Sequence, residues 1–525
     1  MKRIVMTVIA GLCAASAPAQ ETTRAERLPG ESWWGGAVGL GARMPYERQE
    51  MYDLGTRNNN NQVAPLLLSN RGRYAWCDSP FAFRVDETGV EIRPGREQVT
   101  VQEAGKTLRD AYLAACRAHF PPSGALPDSL FFTMPQYNTW IELMYDQNQR
   151  DVMQYARAII DNGFPPGVLM IDDNWQRYYG SYDFKQERFP DPKGMVDSLH
   201  AMGFKVMLWV CPFVSPDSPE YRRLARRGFL LKRGNAPAII SWWNGQSACL
   251  DLTRPEAAAY LVEELERTRQ RYGVDGFKFD AGDNSFYTRV DAFDKEALPV
   301  DHTLAWAKVG LSFPFNEYRA CWKMGGQALV QRLGDKNYSW ESGVQLLIPE
   351  MIAAGLLGHA YTCPDMIGGG QYASFLGKDP AALDQELIVR SAQVHALMPM
   401  MQFSVGPWRV LSPENLAIVR EAALLHRAFA PLILALAREA AVTGEPIIRH
   451  MDYVFPGEGF ASCRDQFMLG NECLVAPVVT PGVTRQVKLP RGRWRDDLGV
   501  VHRGPRTLTV RAPLSRLPRF VRVSP

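Results

Sequence analysis

Between residues 126 and 434, short apolar runs alternate with segments whose apolar residues recur at helical spacing. The apolar runs predict buried strands, and three of them are GVLMIDDNW, FKVMLWVCPF and VDGFKFDAGD. Helices are predicted in DVMQYARAIIDNG and in TRPEAAAYLVEELERTRQRYG. This order of strands and helices predicts a parallel sheet, and over roughly 300 residues the most economical parallel sheet is a (β/α)8 TIM barrel.

The second of these helices carries the signals of a helix start. Thr253 and Glu256 have the spacing of a capping box, in which each side chain bonds the backbone N–H of the other residue. Pro255 suits the first helical turn. We therefore expect Thr253 to cap this helix.

The segments on both sides of the predicted barrel have a β pattern. From 21 to 125, strand-like stretches such as VAPLLLSN alternate with loops, one of which holds the asparagine run Asn58 to Asn61. From 435 to 525 the helical pattern stops, and stretches such as DQFMLGNECLVAPVVT alternate with Gly and Pro turns. We expect an N-terminal β-domain at 21–125 and a C-terminal antiparallel β-domain at 435–525.

The first 20 residues read as a secretory signal peptide. They have a basic start, an apolar run and an A-x-A pattern at Ala17 to Ala19. The apolar run is shorter than the about 20 residues that a membrane span needs, so no membrane span is expected. The protein is therefore predicted to be exported to the periplasm or to the extracellular space.

Composition narrows the classes of partner. The chain has 525 residues, of which 46% are hydrophobic, and a net charge of +3, which does not favour nucleic acid as a partner. Beyond Cys13, the cysteines run from Cys77 to Cys473 with no CxxC motif and no Cys/His cluster. We therefore expect neither a zinc site nor any other metal or cofactor, and export leaves room for one or two disulfides whose pairing the sequence does not show. The sequence does not determine the oligomeric state.

The first candidate site is the end of the strand in VDGFKFDAGD. Side chains alternate along a strand, so Lys278 and Asp280 share a face and would both point into the barrel mouth. A neighbouring lysine keeps a carboxylate ionised, which suits a nucleophile, and a structural ion pair is the alternative. Asp283 is either a support for this site or an ordinary loop acid.

Two further groups of acids follow predicted strands. MIDDNW places Asp172 and Asp173 beside Trp175, an arrangement that suits sugar hydroxyls and the apolar face of the ring, although a helix cap would use the same residue types. RLGDKNYSWE supplies Arg332 and Asp335, and Asp365 follows in YTCPDMIGGG. The chain has no GxSxG elbow and no P-loop. Carboxylates at a barrel mouth with tryptophans therefore indicate cleavage of glycosidic bonds.

These motifs resemble glycoside hydrolase family 31. The motifs that carry the resemblance occur in the family's order along the chain. In the predicted barrel they are GFKFDAGD, MIDDNW, NTWIE, LDLTRPEA, FNEYRACWK and PDMIGGG, and after it they are GEPIIRHMDYVFP, DQFMLGNECLVAPVV and VKLPRGRW. The resemblance covers nearly the whole chain after the leader. It implies the fold class α/β, with a (β/α)8 TIM barrel flanked by an N-terminal β-sandwich and a C-terminal antiparallel β-domain, and retaining cleavage of α-glycosides.

The resemblance also implies roles for single residues. Asp280 matches the nucleophile, and Asp335 matches the acid/base of the family's W-x-G-D segment, although the tryptophan of that segment is missing here. Lys278 and Arg332 would lower the pKa of Asp280, whereas Asp335 would need a drier environment to keep its proton. The side chains that would hold the sugar in the first subsite are Asp172, Asp173, Trp209 and Asp365.

The substrate expected is an oligosaccharide or glycoconjugate with a terminal α-linked sugar. The family's usual Arg and His after the seventh strand are replaced by Gln402 and Ser404, which disfavours maltase-like specificity. The pattern is closer to the branch that includes the mammalian myogenesis-regulating glycosidase. IDDNW is also similar to the strand end of clan-related α-galactosidases, where the acids hold the axial O4 and O6.

We therefore expect an exo-acting, retaining α-glycoside hydrolase, with α-galactosidase as the preferred activity. The alternatives are an α-glucosidase, an α-xylosidase or a transglycosylase of the same family. A different class, a catalytically silent carbohydrate-binding protein, remains a further alternative because the acid/base segment is altered.

Overall fold

The computed structural model describes residues 21–56 and 62–523. The predicted leader and the asparagine run Asn58 to Asn61 lie outside the described residues. Within them the predicted fold class is confirmed, because a parallel eight-stranded barrel is flanked by two N-terminal sheets and by a C-terminal antiparallel sheet.

The N-terminal sheets form a β-sandwich that is hydrogen-bonded to the barrel. Tyr46 lies between the sheets, since its hydroxyl donates to the carbonyl of Gly35 at 2.7 Å and its ring centre is 5.6 Å from that of Phe83. One sheet has the order Thr23–Glu26, Gly89–Pro94, Phe81–Asp86, Gln49–Asp53. The other has the order Cys321–Trp322, Gln62–Ser69, Arg73–Trp76, Thr100–Glu103, with Trp33–Ala37 also paired to Gln62–Ser69. Because Cys321–Trp322 comes from the barrel segment, the two domains share this second sheet.

The barrel is a nearly closed parallel sheet. Its strands in chain order are Gln136–Asn138, Val168–Ile171, Lys205–Val210, Gly276–Phe279, Phe315–Tyr318, Gln331–Arg332, Thr362–Cys363 and Gln402–Phe403. The eighth strand pairs with the first, and the backbone N–H of Ile367 donates to the carbonyl of Gln402 at 2.8 Å across the remaining gap. The carboxyl ends of all eight strands meet at one mouth, where barrel enzymes keep their active sites.

Helices surround the barrel. The α-helices are Leu108–His119, Leu130–Thr133, Trp140–Leu143, Gln149–Asp161, Pro192–Ala201, Pro219–Arg227, Pro255–Tyr272, Pro299–Val309, Gln345–Leu356, Gln385–Ala396, Pro407–Val410, Pro413–Thr443 and Met451–Val454. The 3-10 helices are Val38–Arg43, Asn284–Tyr287, Gly310–Ser312, Tyr372–Ser374 and Pro380–Ala382, and a π turn spans Trp340–Val344.

The predicted capping box at Thr253 is wrong, although the helix is present with Pro255 in its first turn. Arg254 is the capping residue and makes no side-chain cap, and the hydroxyl of Thr253 donates to Asp251 at 2.6 Å. The box is absent because the helix begins one residue later than the spacing requires, and the hydroxyl oxygen of Thr253 accepts from the backbone N–H of Asp294 at 3.3 Å instead.

A small sheet covers one side of the barrel mouth. After the third barrel strand, Phe213–Val214 pairs with Gly245–Cys249, which forms a hairpin with Ile240–Trp242. A second short hairpin joins Lys232–Arg233 to Ala236–Pro237. The tip of the first hairpin, Trp243 and Asn244, lies at the barrel mouth.

The C-terminal domain is a six-stranded antiparallel sheet. Its order is Ile448–Arg449, Phe467–Leu469, Cys473–Val475, Arg519–Val523, Thr484–Asp496, Val501–Arg511. It has a small core of its own around Trp494 and Phe520, whereas one larger core joins the sandwich and the barrel. The last long helix continues to Thr443, so the helical pattern ends later than the predicted boundary at 434.

Two observations bear on the other predictions. Over the ranges that the structure describes, no helix combines the length and the apolar character needed to cross a bilayer. All the cysteines in these ranges are buried and free, so they form no disulfide.

Candidate active site

A cavity of about 450 Å³ opens at the carboxyl ends of the barrel strands. Seven of the eight residues predicted from the sequence line it: Asp172, Asp173, Trp209, Lys278, Asp280, Arg332 and Asp335. The other described residues at its wall include Gly39, Trp140, Tyr145, Trp243, Arg319, Lys336, Glu350 and Tyr372. Gly39 belongs to the N-terminal domain, so two domains build the cavity.

Asp280 follows the fourth barrel strand directly, and the turn behind it is tight. The backbone N–H of Ala281 donates to Oδ1 of Asp280 at 2.8 Å, and Ala281 has a left-handed φ of 56°. Gly282 also has a positive φ, and a Cβ there would lie 2.1 Å from the ring of Trp306. The turn therefore requires glycine at 282, and it holds the carboxylate at the strand end.

The charges around Asp280 keep it ionised. Burial acts to raise the pKa of this carboxyl, but the positive charges of Arg319 and Lys278 and the hydrogen bond from Trp209 outweigh burial and lower it. The indole N–H of Trp209 donates to Oδ2 at 2.8 Å, and Nε of Arg319 lies 3.8 Å from Oδ1. The predicted lowering of this pKa by Lys278 and Arg332 agrees in direction, but Arg319, which the sequence did not indicate, makes the largest single contribution.

Lys278 does not form its ion pair with Asp280. Its Nζ lies 2.6 Å from Oδ2 of Asp172, and both side chains are buried. Burial acts to lower the pKa of Lys278, but the negative charge of Asp172 raises it, and the net result is a raised pKa. The lysine is therefore a fixed cation that connects the second barrel strand to the fourth.

Asp173 lies in a hydrogen-bonded group that the sequence did not indicate. Its Oδ1 accepts from the hydroxyl of Tyr179 at 3.2 Å, and its Oδ2 accepts from the amide of Asn244. Burial and the charge of Asp172 raise the pKa of Asp173 to about 7, against the effect of these two donors. The two acids of IDDNW therefore differ, since one is paired with a cation and the other with neutral donors.

Asp335 is not in the drier environment that we expected. Its side chain is 25% exposed and its Oδ1 accepts from Nη1 of Arg332 at 2.8 Å, whereas the side chain of Asp280 is only 12% exposed. The loop after the sixth barrel strand carries Asp335 outwards, and Arg332 at the strand end holds it. The expectation was wrong because an acid in a loop reaches solvent more easily than an acid at a strand end.

Asp365 does not line the cavity and would not touch the sugar, which corrects the prediction. It is fully buried behind Asp335 and accepts from Nη1 of Arg332, from the backbone N–H of Lys336 at 2.8 Å and from that of Gly370 at 2.9 Å. A Cβ at Gly370 would lie 2.8 Å from an oxygen of Asp335 and of Asp365. Asp365 is therefore a positioning residue for the loop that carries Asp335.

The residues that replace the family's usual Arg and His lie below the cavity. Gln402 donates to Oε2 of Glu317 at 2.7 Å, and Ser404 accepts from the backbone N–H of Ile141 at 2.7 Å. Both are buried and neither lines the cavity. They belong to the barrel interior.

Trp175 is not a sugar platform, although it follows the acids of MIDDNW. It is fully buried and its indole N–H donates to the carbonyl of Trp209 at 2.7 Å. Asp283 is buried 3.5 Å from Arg319, so it supports the site and is no ordinary loop acid.

Sequence reasoning missed several residues at the site. Arg319 directly follows a barrel strand, and its motif FNEYRACWK was noted only for its resemblance. Asn244 and Trp243 lie in a loop insertion, where no periodic pattern marks them. Lys336 and Glu350 form a buried ion pair at 2.7 Å on the wall beyond Asp335.

Over residues 21–56 and 62–523, no group of three or more His, Cys, Asp or Glu side chains is arranged to hold a metal ion. The carboxylates of the cavity are held instead by Arg, Lys, Trp and Asn side chains. Two acids on one cavity with fixed cations can carry out nucleophilic attack and proton transfer.

Two models of known families match the chain. The model of the glycosyl hydrolases family 31 TIM-barrel domain matches residues 132–436, and the model of the glycosyl hydrolase family 31 C-terminal domain matches residues 444–524.

Among curated proteins, the myogenesis-regulating glycosidase of Mus musculus is 35% identical over 409 residues, which cover 75% of this chain and 57% of that protein. The alpha-glucosidase 2 of Bacillus thermoamyloliquefaciens is 25% identical over 413 residues, covering 72% of this chain and 51% of the relative. The chain therefore spans about half the length of these relatives.

Among solved structures, a family 31 dextranase of Flavobacterium johnsoniae complexed with glucose superposes with a TM-score of 0.85 at 22% identity, covering 97% of this chain and 67% of the dextranase. At this identity the likeness shows the fold.

Proposed function

Since the chain belongs to glycosyl hydrolase family 31, we propose that it is a retaining, exo-acting α-glycoside hydrolase that acts as an α-galactosidase. The observation that carries the proposal is that Asp280 and Asp335 line one cavity and have different surroundings. Asp280 faces cations that lower its pKa, whereas Asp335 lies in a more exposed loop. A nucleophile and an acid/base need this kind of difference.

In the proposed reaction, Asp280 attacks C1 of the sugar while Asp335 donates a proton to the oxygen of the leaving group. The C1–O bond to the leaving group breaks, and a β-glycosyl ester forms on Asp280. Asp335 then takes a proton from a water molecule, which attacks C1 and releases Asp280. The sugar leaves with its α configuration retained, because C1 is inverted twice.

The surroundings of Arg332 support the role of Asp335 as an acid. One guanidinium faces three carboxyl groups, those of Asp335, Asp365 and Glu317. Burial raises the pKa of Asp365 and that of Glu317, against the positive charge of Arg332. Arg332 thus holds the carboxyl of Asp335 in a defined position at the cavity wall, from which it can reach the oxygen of the leaving group.

The acids Asp172 and Asp173 support a galactoside as the substrate. Both lie at the inner wall of the cavity, where they can accept hydrogen bonds from an axial O4 and from O6. Gln402 and Ser404 supply no cation or imidazole to the cavity wall. An α-glucosidase is the second candidate, because the Bacillus relative carries that name.

The test is hydrolysis of a panel of aryl α-glycosides, namely galactoside, glucoside, xyloside, N-acetylgalactosaminide and sulfoquinovoside. We expect activity on the galactoside in the wild type and none in Asp280→Asn. Preference for another sugar would contradict the assignment of a galactoside as the substrate, but it would agree with the proposed retaining mechanism. No turnover on any glycoside, with a measurable dissociation constant for a free sugar, would favour a carbohydrate-binding protein.

Asp335→Ala tests the second acid separately. Aryl glycosides with good leaving groups need little proton donation, so we expect the variant to keep more activity on them than on a disaccharide. Added azide replaces the water that Asp335 would activate and should restore turnover, with an α-glycosyl azide as the product because azide attacks the β-glycosyl ester on Asp280. Asp335→Ala with wild-type rates on both substrates would exclude this role.

Export remains part of the proposal. The basic start and the A-x-A pattern at Ala17 to Ala19 support it. Mass spectrometry of the mature N-terminus, after expression in a host with a secretory pathway, should show cleavage near residue 20. An intact N-terminus in the cytoplasmic fraction would refute it.

A further inference from the structure

The hairpin Ile240–Trp242 and Gly245–Cys249 is fixed firmly against the barrel mouth. The ring of Trp242 lies 4.9 Å from that of Tyr179 and 4.4 Å from that of Phe213. Cys249 pairs with Phe213 in the neighbouring strand. Because its base is buried, the tip of the hairpin has a defined position.

One of the two residues at the tip, Asn244, contacts the side of the site that holds Asp173. Its amide nitrogen donates to Oδ2 of Asp173 and, at 2.8 Å, to the hydroxyl of Tyr179. Its amide oxygen accepts from the hydroxyl of Tyr145 at 2.7 Å. Two segments of the barrel mouth, one with Tyr145 and one with Asp173 and Tyr179, therefore meet the hairpin at one amide.

The hydrogen bonds allow only one orientation of this amide. The ionised form of Asp173 can only accept hydrogen bonds, so the nitrogen of Asn244 has to face this form of Asp173. The hydroxyl of Tyr145, which lines the cavity, then donates to the oxygen. As a result, Oδ2 of Asp173 accepts from the hairpin and Oδ1 accepts from Tyr179, and the carboxylate keeps further acceptor positions for a sugar hydroxyl.

The other tip residue, Trp243, contacts the opposite half of the site. Trp243 is 44% exposed, and the guanidinium of Arg319 lies 4.7 Å from the centre of its ring. A guanidinium over an indole face is attracted by the ring. The Nε of Arg319 lies 3.8 Å from Oδ1 of Asp280, the proposed nucleophile.

We infer that the tip of this hairpin is a two-point positioning element, in which Asn244 orients Asp173 for sugar binding and Trp243 holds Arg319 beside Asp280. The inference rests on the proposed function and extends it to two residues of an inserted loop. Asn244 is not a catalytic residue, because it acts through Asp173. The two neighbours in sequence serve different steps, one the binding of the sugar and the other the chemistry at C1.

This division predicts different kinetic effects for the two residues. The contact of Asp173 with a sugar hydroxyl is made in the ground state and in the transition state alike. Loss of this contact therefore raises KM and leaves kcat unchanged. Arg319 acts on the carboxylate that reacts, so loosening it lowers kcat. A hairpin with a merely structural role would change both constants together in both variants.

The experiment measures kcat and KM of Asn244→Ala and Trp243→Ala on the aryl α-glycoside that the wild type hydrolyses best. We expect KM to rise about tenfold in Asn244→Ala with kcat within about twofold. We expect kcat to fall about fivefold in Trp243→Ala with KM within about twofold. Gln246→Ala, an exposed position of the same hairpin, is the matched control and should leave both constants unchanged.

Two conservative variants distinguish the proposed roles from an effect of misfolding in the alanine variants. Asn244→Asp keeps the shape and replaces the donor by an acceptor, so KM should rise more than in Asn244→Ala. Trp243→Phe keeps an aromatic face over Arg319 and should restore most of kcat. Unchanged KM in both Asn244 variants, or parallel changes of kcat and KM in the alanine variants at residues 243 and 244, would overturn the inference.

Failure of the proposed function gives a different result. If the wild type hydrolyses none of the glycosides, the hydrolase assignment fails, and the dissociation constant of free galactose or glucose is measured by calorimetry. Weaker binding in Asn244→Ala than in Gln246→Ala would still support the role of Asn244. Equal binding in these two variants, or no binding by the wild type, would overturn the inference as well.

Discussion

The Nζ of Lys278 lies 2.6 Å from Oδ2 of Asp172, and this ion pair is buried at the base of the cavity. The lysine that precedes Asp280 by two residues is thus bonded to an acid more than a hundred residues away. A single cation therefore fixes one acid of the cavity wall and at the same time lowers the pKa of Asp280, the proposed nucleophile.

Replacing this cation should destabilise the protein. Lys278→Met leaves Asp172 buried without its partner, and breaking a buried pair costs about 3–5 kcal/mol. We expect the free energy of unfolding in urea to fall by about that amount. The double variant Lys278→Met with Asp172→Leu should recover a large part of the loss, and a double variant as unstable as the two single changes added together would argue against direct pairing.

Asp173 should make the stability of the protein depend on pH. Burial and the neighbouring carboxylates of Asp172 and Asp280 raise its pKa to about 7, against the donors Asn244 and Tyr179. Between the ordinary pKa of 3.8 and about 7, the folded protein holds a proton that the unfolded chain has released. Stability from this group is therefore greatest below about pH 4 and is lost as the pH rises to about 7.

The measurement compares urea unfolding of the wild type and Asp173→Asn at several pH values. The asparagine does not titrate, so the free energy of the variant minus that of the wild type should grow by about 1.4 kcal/mol per pH unit between about pH 4 and 7. Above about pH 7 the difference should level off. Parallel profiles across this range would mean that Asp173 ionises like an exposed acid.

Trp209 should set the acidic limb of the activity profile. Trp209→Phe keeps the ring and removes the N–H that donates to Asp280, so the pKa of Asp280 should rise. Because the nucleophile must be ionised, the acidic limb of kcat/KM should move to higher pH by about one unit.

Trp175→Phe is the matched control for this prediction. Trp175 is equally buried, but its indole N–H donates to the backbone carbonyl of Trp209 and to no carboxylate. The acidic limb of kcat/KM in Trp175→Phe should lie at the same pH as in the wild type. Equal shifts in both variants would attribute the effect to packing.

Asp365 should matter for stability and for the position of Asp335. Asp365→Ala removes the acceptor for Arg332 and for two backbone N–H groups, and we expect a loss of about 3–5 kcal/mol in the free energy of unfolding. Asp379→Asn, at an exposed acid in the same loop region, should change stability by less than about 0.5 kcal/mol. A loss as small as that in Asp365→Ala would show that the loop does not depend on this carboxylate.

Much of the fold followed from local patterns. The strands Val168–Ile171, Lys205–Val210 and Gly276–Phe279 and the helix Pro255–Tyr272 lie where apolar runs and helical spacing predicted them. Local spacing failed at Thr253, because Arg254 and not Thr253 is the capping residue of this helix. The residue types indicate that a helix starts here, but they do not determine the residue at which it begins.

The sequence by itself determined that Lys278 and Asp280 share a face, because side chains alternate along any strand, and that acids at several strand ends meet at one mouth. Only the tertiary structure decided which side chains pair. Lys278 pairs with Asp172, Arg319 lies beside Asp280, and Asn244 donates a hydrogen bond to Asp173. The reason is that a hydrogen bond or an ion pair depends on distances of a few ångström between segments far apart in the chain. No local pattern encodes those distances, whereas packing of the barrel, the hairpin and the N-terminal domain sets them.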